Sequence, residues 1–141
     1  MPIEHFGASP ERPLTPAVRA GDWLYVSGQA STELTTGKVV SGAFAEEFER
    51  AVANLRRVLS DAGADLGQVV KVVAFLSDEA WLGEYNELYL AAFPHPRPAR
   101  TTFVSPLELV KFEIECQAYV GDRTANAWPR SRVMGPGNPG N

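Results

Sequence analysis

The segment Val69–Leu76, VVKVVAFL, is apolar at both parities except at Lys71. A strand with one face on a core and one in water alternates. A run without alternation predicts a central strand covered on both faces. That demand constrains the fold, because few other elements can do the covering. Residues 43–62 are the clearest helix: Phe44, Phe48, Ala51, Val52, Leu55, Val58, Leu59 and Ala62 recur at three- and four-residue steps. Glu46 and Glu47 in its first turns, and Arg56 and Arg57 nearer its end, match the helix dipole. Gly63 is placed to close it in the left-handed conformation. A second helix is predicted over 79–93, capped by Asp78, with Trp81, Leu82, Tyr85, Leu88, Tyr89, Ala92 and Phe93 as its stripe. Pro94, Pro96 and Pro98 stop it and force an extended approach to the next strand.

Residues 14–19 and 22–29 read as a hairpin around Ala20-Gly21, and 100–104 and 110–120 as further strands. In the last of these Val110, Phe112, Ile114, Cys116, Ala118 and Val120 point one way, and Lys111, Glu113, Glu115, Gln117 and Tyr119 the other. Residues 1–12 read as a loose lead-in, and 30–42 as loop with a short edge strand at Val39-Val40. The order ββ-α-β-α-ββ predicts a two-layer α+β domain over 1–121, two helices packed on one mixed β-sheet. Residues 122–141 form a Gly/Pro-rich tail with no regular core element and Trp128 as its large anchor. Two helices cover only one sheet face. The other carries Lys71, Glu113 and Glu115 together with apolar residues, which predicts burial against other copies of the chain.

The net charge of −4 gives no electrostatic footprint for nucleic acid, which is disfavoured as a partner. The lone Cys116 can form no internal disulfide and reads as a reduced, buried small side chain. The first residues lack the pattern of a secretory signal, and no apolar run approaches the ~20 residues that span a bilayer, so the cytoplasm is the expected location and no membrane partner is expected.

Chemistry must come from few side chains. His5 and His95 read as solvated loop residues, and no phosphate loop, histidine pair, paired cysteine or G-x-S-x-G elbow is present. Arg100 follows Pro98-Ala99 at a strand start, where a stiff chain aims its guanidinium; it suits bidentate capture of a carboxylate, while spacing alone favours a surface ion pair with a neighbouring Glu. Glu113 lies mid-strand on the polar parity and suits either polarisation of a water or a salt bridge; Glu115 shares that parity and is not separable from it by pattern.

Five stretches in order resemble the RidA/YjgF family of reactive intermediate deaminases: VSGQ (Val26–Gln29), AGADLGQVVKVVAFLSD (Ala62–Asp78), YNELYLAAF (Tyr85–Phe93), PAR (Pro98–Arg100) and VKFEIECQAYV (Val110–Val120). The resemblance covers roughly residues 13–121. It implies a chorismate-mutase-like fold, a homotrimer with sites in clefts between subunits, and hydrolysis without a cofactor of imines and enamines such as 2-aminoacrylate to ammonia and a 2-keto acid. It further implies that Arg100 binds the substrate carboxylate, that Glu113 orients the attacking water, that Ser27, Gly28, Asn86 and Tyr89 line or support the cleft, and that the main chain at Thr102 helps hold the water or leaving nitrogen. Ala17 stands where relatives carry a cleft tyrosine, which implies space for a larger or different acid, and Thr102 stands in place of a common cysteine. The loop between Arg100 and Glu113 is a little shorter than in those relatives. The same cleft could instead serve a non-catalytic, regulatory trimer that binds a carboxylic-acid metabolite; ribonuclease activity is a third reading, opposed by the acidic charge.

Overall fold

A computed structural model describes residues 2–121. Six strands form one mixed sheet: β1 (Ile3–Phe6), β2 (Ala17–Ala20), β3 (Trp23–Ala30), β4 (Val69–Leu76), β5 (Ala99–Val104) and β6 (Phe112–Tyr119), in the spatial order β1-β2-β3-β6-β4-β5. Helices α1 (Phe44–Asp61) and α2 (Leu82–Ala92) pack on one face. Only β4 and β5 run parallel as neighbours, joined through α2, as a helical crossover permits. The last strand, β6, is inserted between β3 and β4, antiparallel to both.

The predicted two-layer α+β architecture is the one observed. Helix α1 buries Phe44, Phe48, Ala51, Val52, Leu55, Val58 and Leu59 on the sheet, and the Glu46 carboxylate accepts the Ala43 N–H that no helix turn satisfies. Gly63 closes it at φ +79°. Strand β4 spans the predicted residues and stands second from the sheet edge. Its two faces are not equally covered: Val72, Ala74 and Leu76 are buried beneath the helices, whereas Val73 and Phe75 on the opposite face are half-buried. Double-sided apolarity thus leaves an open face in the single chain, where Trp23, Tyr25 and Phe103 are also exposed.

Several elements differ from expectation. The lead-in contains a strand: Ile3–Phe6 pairs with β2, and Phe6 packs against the core, so a local reading misses an element defined by its partner. Strand β2 begins at Ala17 rather than at residue 14, because Pro16 has no N–H and its carbonyl and that of Thr15 are taken by Ser27. Asp78 caps a single 3-10 turn at Glu79–Trp81, through Ala80 N–H at 2.8 Å, and the α-helix starts only at Leu82. The edge strand expected at Val39-Val40 is a single bridge between Thr32 and Val39. The reading of 122–141, Trp128 included, lies outside the described residues.

Candidate active site

The prolines after α2 deliver the chain into β5, where Arg100 pairs with Val72 of β4. In-register partners share a sheet face, so Arg100 projects to the helix side with the buried Val72. There α2 presents Tyr85, Asn86 and Tyr89, the tyrosines one helical turn apart. The guanidinium carbon lies 4.8 Å from the Tyr85 ring centre and 4.6 Å from that of Tyr89, within cation–π range. Its Nη2 donates to Asn86 Oδ1 at 2.9 Å. The two ion pairs among the described residues, Arg57–Asp61 and Lys111–Glu47, leave Arg100 without a carboxylate partner. The surface ion pair is therefore not the reading the structure favours: the cation is oriented by rings and an amide, and its outer edge faces solvent.

Tyr85 is fully buried, with its hydroxyl 2.7 Å from Thr102 Oγ1. Burial raises its phenol pKa, against smaller lowering effects of Thr102 and Arg100, so it stays neutral. Tyr89 is pushed up further, first by burial and then by Tyr85. Its hydroxyl is buried with no hydrogen-bond partner among the described residues. An unpaired buried hydroxyl costs free energy without return. Tyr89→Phe is accordingly expected to keep the ring under Arg100 and leave the thermal midpoint unchanged or raised by a few degrees, checked by thermal unfolding; a clear loss of stability would reveal a bond made by that hydroxyl.

Glu113 occupies β6, paired with Phe75 of β4 and Ala30 of β3. The β3–β6 register shifts between Val26 and Gln29, so Ser27 and Gly28 form an irregularity beside it; such bulges re-aim side chains. Gly28 leaves the Glu113 carboxylate in place: a Cβ there would overlap its Oε2 and come within 3.0 Å of its Cδ, so the carboxylate would have to move. Ser27 donates from Oγ to Thr15 O at 2.6 Å and thereby fixes the segment before β2. Burial, and secondarily the charge of Glu115, raises the Glu113 pKa above the ordinary carboxylate value.

Arg100 and Glu113 do not meet within one chain. Val72, the partner of Arg100, and Phe75, the partner of Glu113, stand three residues apart on β4 and face opposite ways. Two strand spacings, about 9–10 Å, and about 10 Å along the strands add to that separation. Within the single chain the candidate residues fall into two separate groups: Arg100, Asn86, Tyr85, Tyr89 and Thr102 at the β5 edge, and Glu113 with Gly28 on the open face.

Similarity to known proteins identifies the family. Residues 7–120 match the family model described as Endoribonuclease L-PSP. The chain belongs to that family. Its L-PSP fold is 35% identical over 114 residues to the human 2-iminobutanoate/2-iminopropanoate deaminase, covering 79% of this chain and 83% of that protein. It is 38% identical over 108 residues to Reactive Intermediate Deaminase A, chloroplastic, of Arabidopsis thaliana, covering 75% of this chain and 58% of that protein. Among solved structures, yeast Mmf1 aligns with a TM-score of 0.75 at 27% identity, covering 84% of this chain and 98% of that one.

Other expected positions of the L-PSP domain fall as follows. Ala17 is fully buried in the core, paired with Phe6 and Val26, so in the single chain its own side chain offers no surface to a ligand. Thr102 contributes a hydroxyl bond to Tyr85. His5 is exposed on β1 rather than in a loose arm, and His95 is exposed after α2. Cys116 is buried, and burial pushes its thiol up to about 12. Three cavities among the described residues, of about 240, 330 and 440 Å³, are lined by residues other than Arg100 and Glu113; the second includes Gly28 with Arg12, Pro16 and Gln29. No cluster of three His, Cys, Asp or Glu side chains among the described residues forms a metal-binding group. No helix there is long and apolar enough to cross a membrane. The residue that the sequence pattern hides is Tyr85: it reads as core stripe, and only its i, i+4 relation to Tyr89 beside Asn86 hints at a polar edge on α2.

Proposed function

We propose that the chain is a hydrolytic deaminase of small enamino and imino acids of the 2-aminoacrylate and 2-iminopropionate class, acting without a cofactor at sites assembled between copies of a homotrimer. The observation that carries this reading is an arginine oriented by Tyr85, Tyr89 and Asn86 and left without a carboxylate partner among the described residues. The deaminase names of relatives at about a third identity support the reaction class. Opposite placement of the two groups supports completion by a neighbour, and the exposed Trp23, Tyr25 and Phe103 on the open face give that neighbour apolar area to cover.

In this mechanism Arg100 of one copy holds the substrate carboxylate through its free edge. The Thr102 main chain steadies the water or leaving nitrogen, and Gly28 admits Glu113 of the neighbour beside the imine carbon. Water adds to the carbon of the protonated C=N while Glu113 takes its proton; Glu113 returns that proton to the amine nitrogen, and as the C–N bond breaks and ammonia leaves, the hydroxyl gives up its proton and becomes the C=O of the 2-keto acid. A protonated imine is electrophilic enough that orientation and one proton carrier suffice. Ammonia release from imino acids formed in situ by an amino-acid oxidase tests this. Tight binding of 2-ketobutyrate with no acceleration would instead mark a binding module. RNA cleavage, named in the family description, finds a poor electrostatic match in a chain of net charge −4.

Equal mixing of Arg100→Ala and Glu113→Gln variants under subunit exchange should restore about a quarter of the sites if each draws its arginine and glutamate from different copies. No recovery would show that the two groups do not act together at a shared site. The raised pKa of Glu113 sets the pH dependence. Glu113 acts as the ionised base, so kcat/KM should fall as pH drops through a value above the ordinary ~4.3 of glutamate, and Glu113→Gln should lose that limb along with ~10²–10⁴-fold in rate. The stability sign is opposite to that of a salt-bridged acid. The folded state holds the proton more tightly, so stability falls as pH rises from the ordinary value through the raised one, and Glu113→Gln escapes that fall.

A further inference from the structure

Resting on the reading of Arg100 as the carboxylate grip, we propose that Tyr85 is a positioning residue, setting the plane of the Arg100 guanidinium from beneath while its hydroxyl ties that ring to Thr102. Three observations converge. The Tyr85 ring lies under Arg100 at 4.8 Å, beside that of Tyr89 at 4.6 Å. Its hydroxyl meets Thr102 Oγ1 at 2.7 Å, on the same strand as Arg100 and two residues on, so one phenol links the helix, the arginine and the strand segment read as facing the reacting atoms. The ring itself cannot drift, because it is fully buried with centroids 6.3 Å from Phe48 and 5.8 Å from Phe112. Two rings below and Asn86 at one Nη2 position leave the guanidinium few orientations, with its free edge outward. A flexible arginine would lose that freedom on binding; a held one has lost it already.

The grip acts on the carboxylate in ground and transition states alike, so loosening it should raise KM and spare kcat. In Tyr85→Leu, KM for 2-iminobutyrate is expected to rise about 10-fold with kcat within about 3-fold, and Tyr85→Phe, which keeps the ring, should restore KM to within about 3-fold of the parent. A purely structural role would lower the active fraction, and so kcat, with KM unmoved. Tyr85→Met fills more of the ring's volume and serves if the leucine variant does not fold. The arginine side-chain NMR signals provide a readout free of turnover: the Arg100 Nε–H resonance should carry a ring-current shift in the parent and in Tyr85→Phe that is reduced in Tyr85→Leu or Tyr85→Met. Folded Leu or Met variants with unchanged KM and an unchanged Arg100 resonance would overturn the proposal. If the parent protein turns over no imine, the failure belongs to the deaminase reading; the resonance, with 2-ketobutyrate titration in place of KM, then decides the role of Tyr85.

Discussion

Arg100→Ala is expected to lower kcat/KM for 2-iminopropionate by roughly 30- to 4,000-fold, the equivalent of about 2–5 kcal/mol of lost binding to a charged partner. The range follows from what the side chain does. Its face is occupied by Tyr85 and Tyr89 and one Nη2 by Asn86, so its outer edge is the part available to a substrate. Alanine removes both the charge and the fixed geometry. Lysine restores charge without the planar fork or the stacking, so Arg100→Lys should fall between. Folding should be little affected, since Arg100 is exposed at the edge strand β5 in the single chain. Steady-state ammonia release, with thermal unfolding as control, measures both. Near-normal turnover by a well-folded alanine variant would remove the basis of the proposed function.

The largest expected loss of stability lies elsewhere, at Glu47. This carboxylate is 1% exposed, yet sits in the first turn of α1. Its Oε1 accepts the Lys111 backbone N–H at 2.9 Å; its Oε2 accepts Gly42 N–H at 3.2 Å and pairs with Lys111 Nζ at 3.1 Å. One side chain therefore joins the entry to α1 with the start of β6. Glu47→Ala strands two backbone donors and an ammonium, which should cost about 3–5 kcal/mol and lower Tm by roughly 10–20 °C for a domain of this size. Glu47→Gln keeps acceptor capacity and should lose less. Unfolding at fixed protein concentration checks this; a Tm shift of only a degree or two in the alanine variant would show that water replaces the carboxylate readily.

The elements written in local pattern were legible in the sequence. The α1 stripe and the β4 run set their own limits, because burial period and turn residues act over a few neighbours. Strand β1 was not legible, since Ile3–Phe6 is a strand only by virtue of β2. Glu47 reads as a companion of the helix dipole, and its burial depends on Lys111, 64 residues on. The candidate site shows the same division. Arg100 could be marked by residue type and its place after the prolines, and Glu113, which parity does not separate from Glu115, only by the family resemblance; their opposite faces depend on β6 entering between β3 and β4, a long-range fact. Ala17, matched to a cleft position by resemblance, is fully buried in the single chain, a fact of packing that no local pattern carries.

The centre of the sheet is made from the end of the described chain. Until Phe112–Tyr119 has been synthesised, β1–β3 and β4–β5 are two separate ribbons, each with an unpaired inner edge. A nascent polypeptide must therefore carry both edges, one of them the apolar VVKVVAFL, without closing them on each other. Closure of the sheet waits on its last strand, a non-local pairing, and truncation just before Phe112 is expected to leave an aggregation-prone fragment with two unpaired edges.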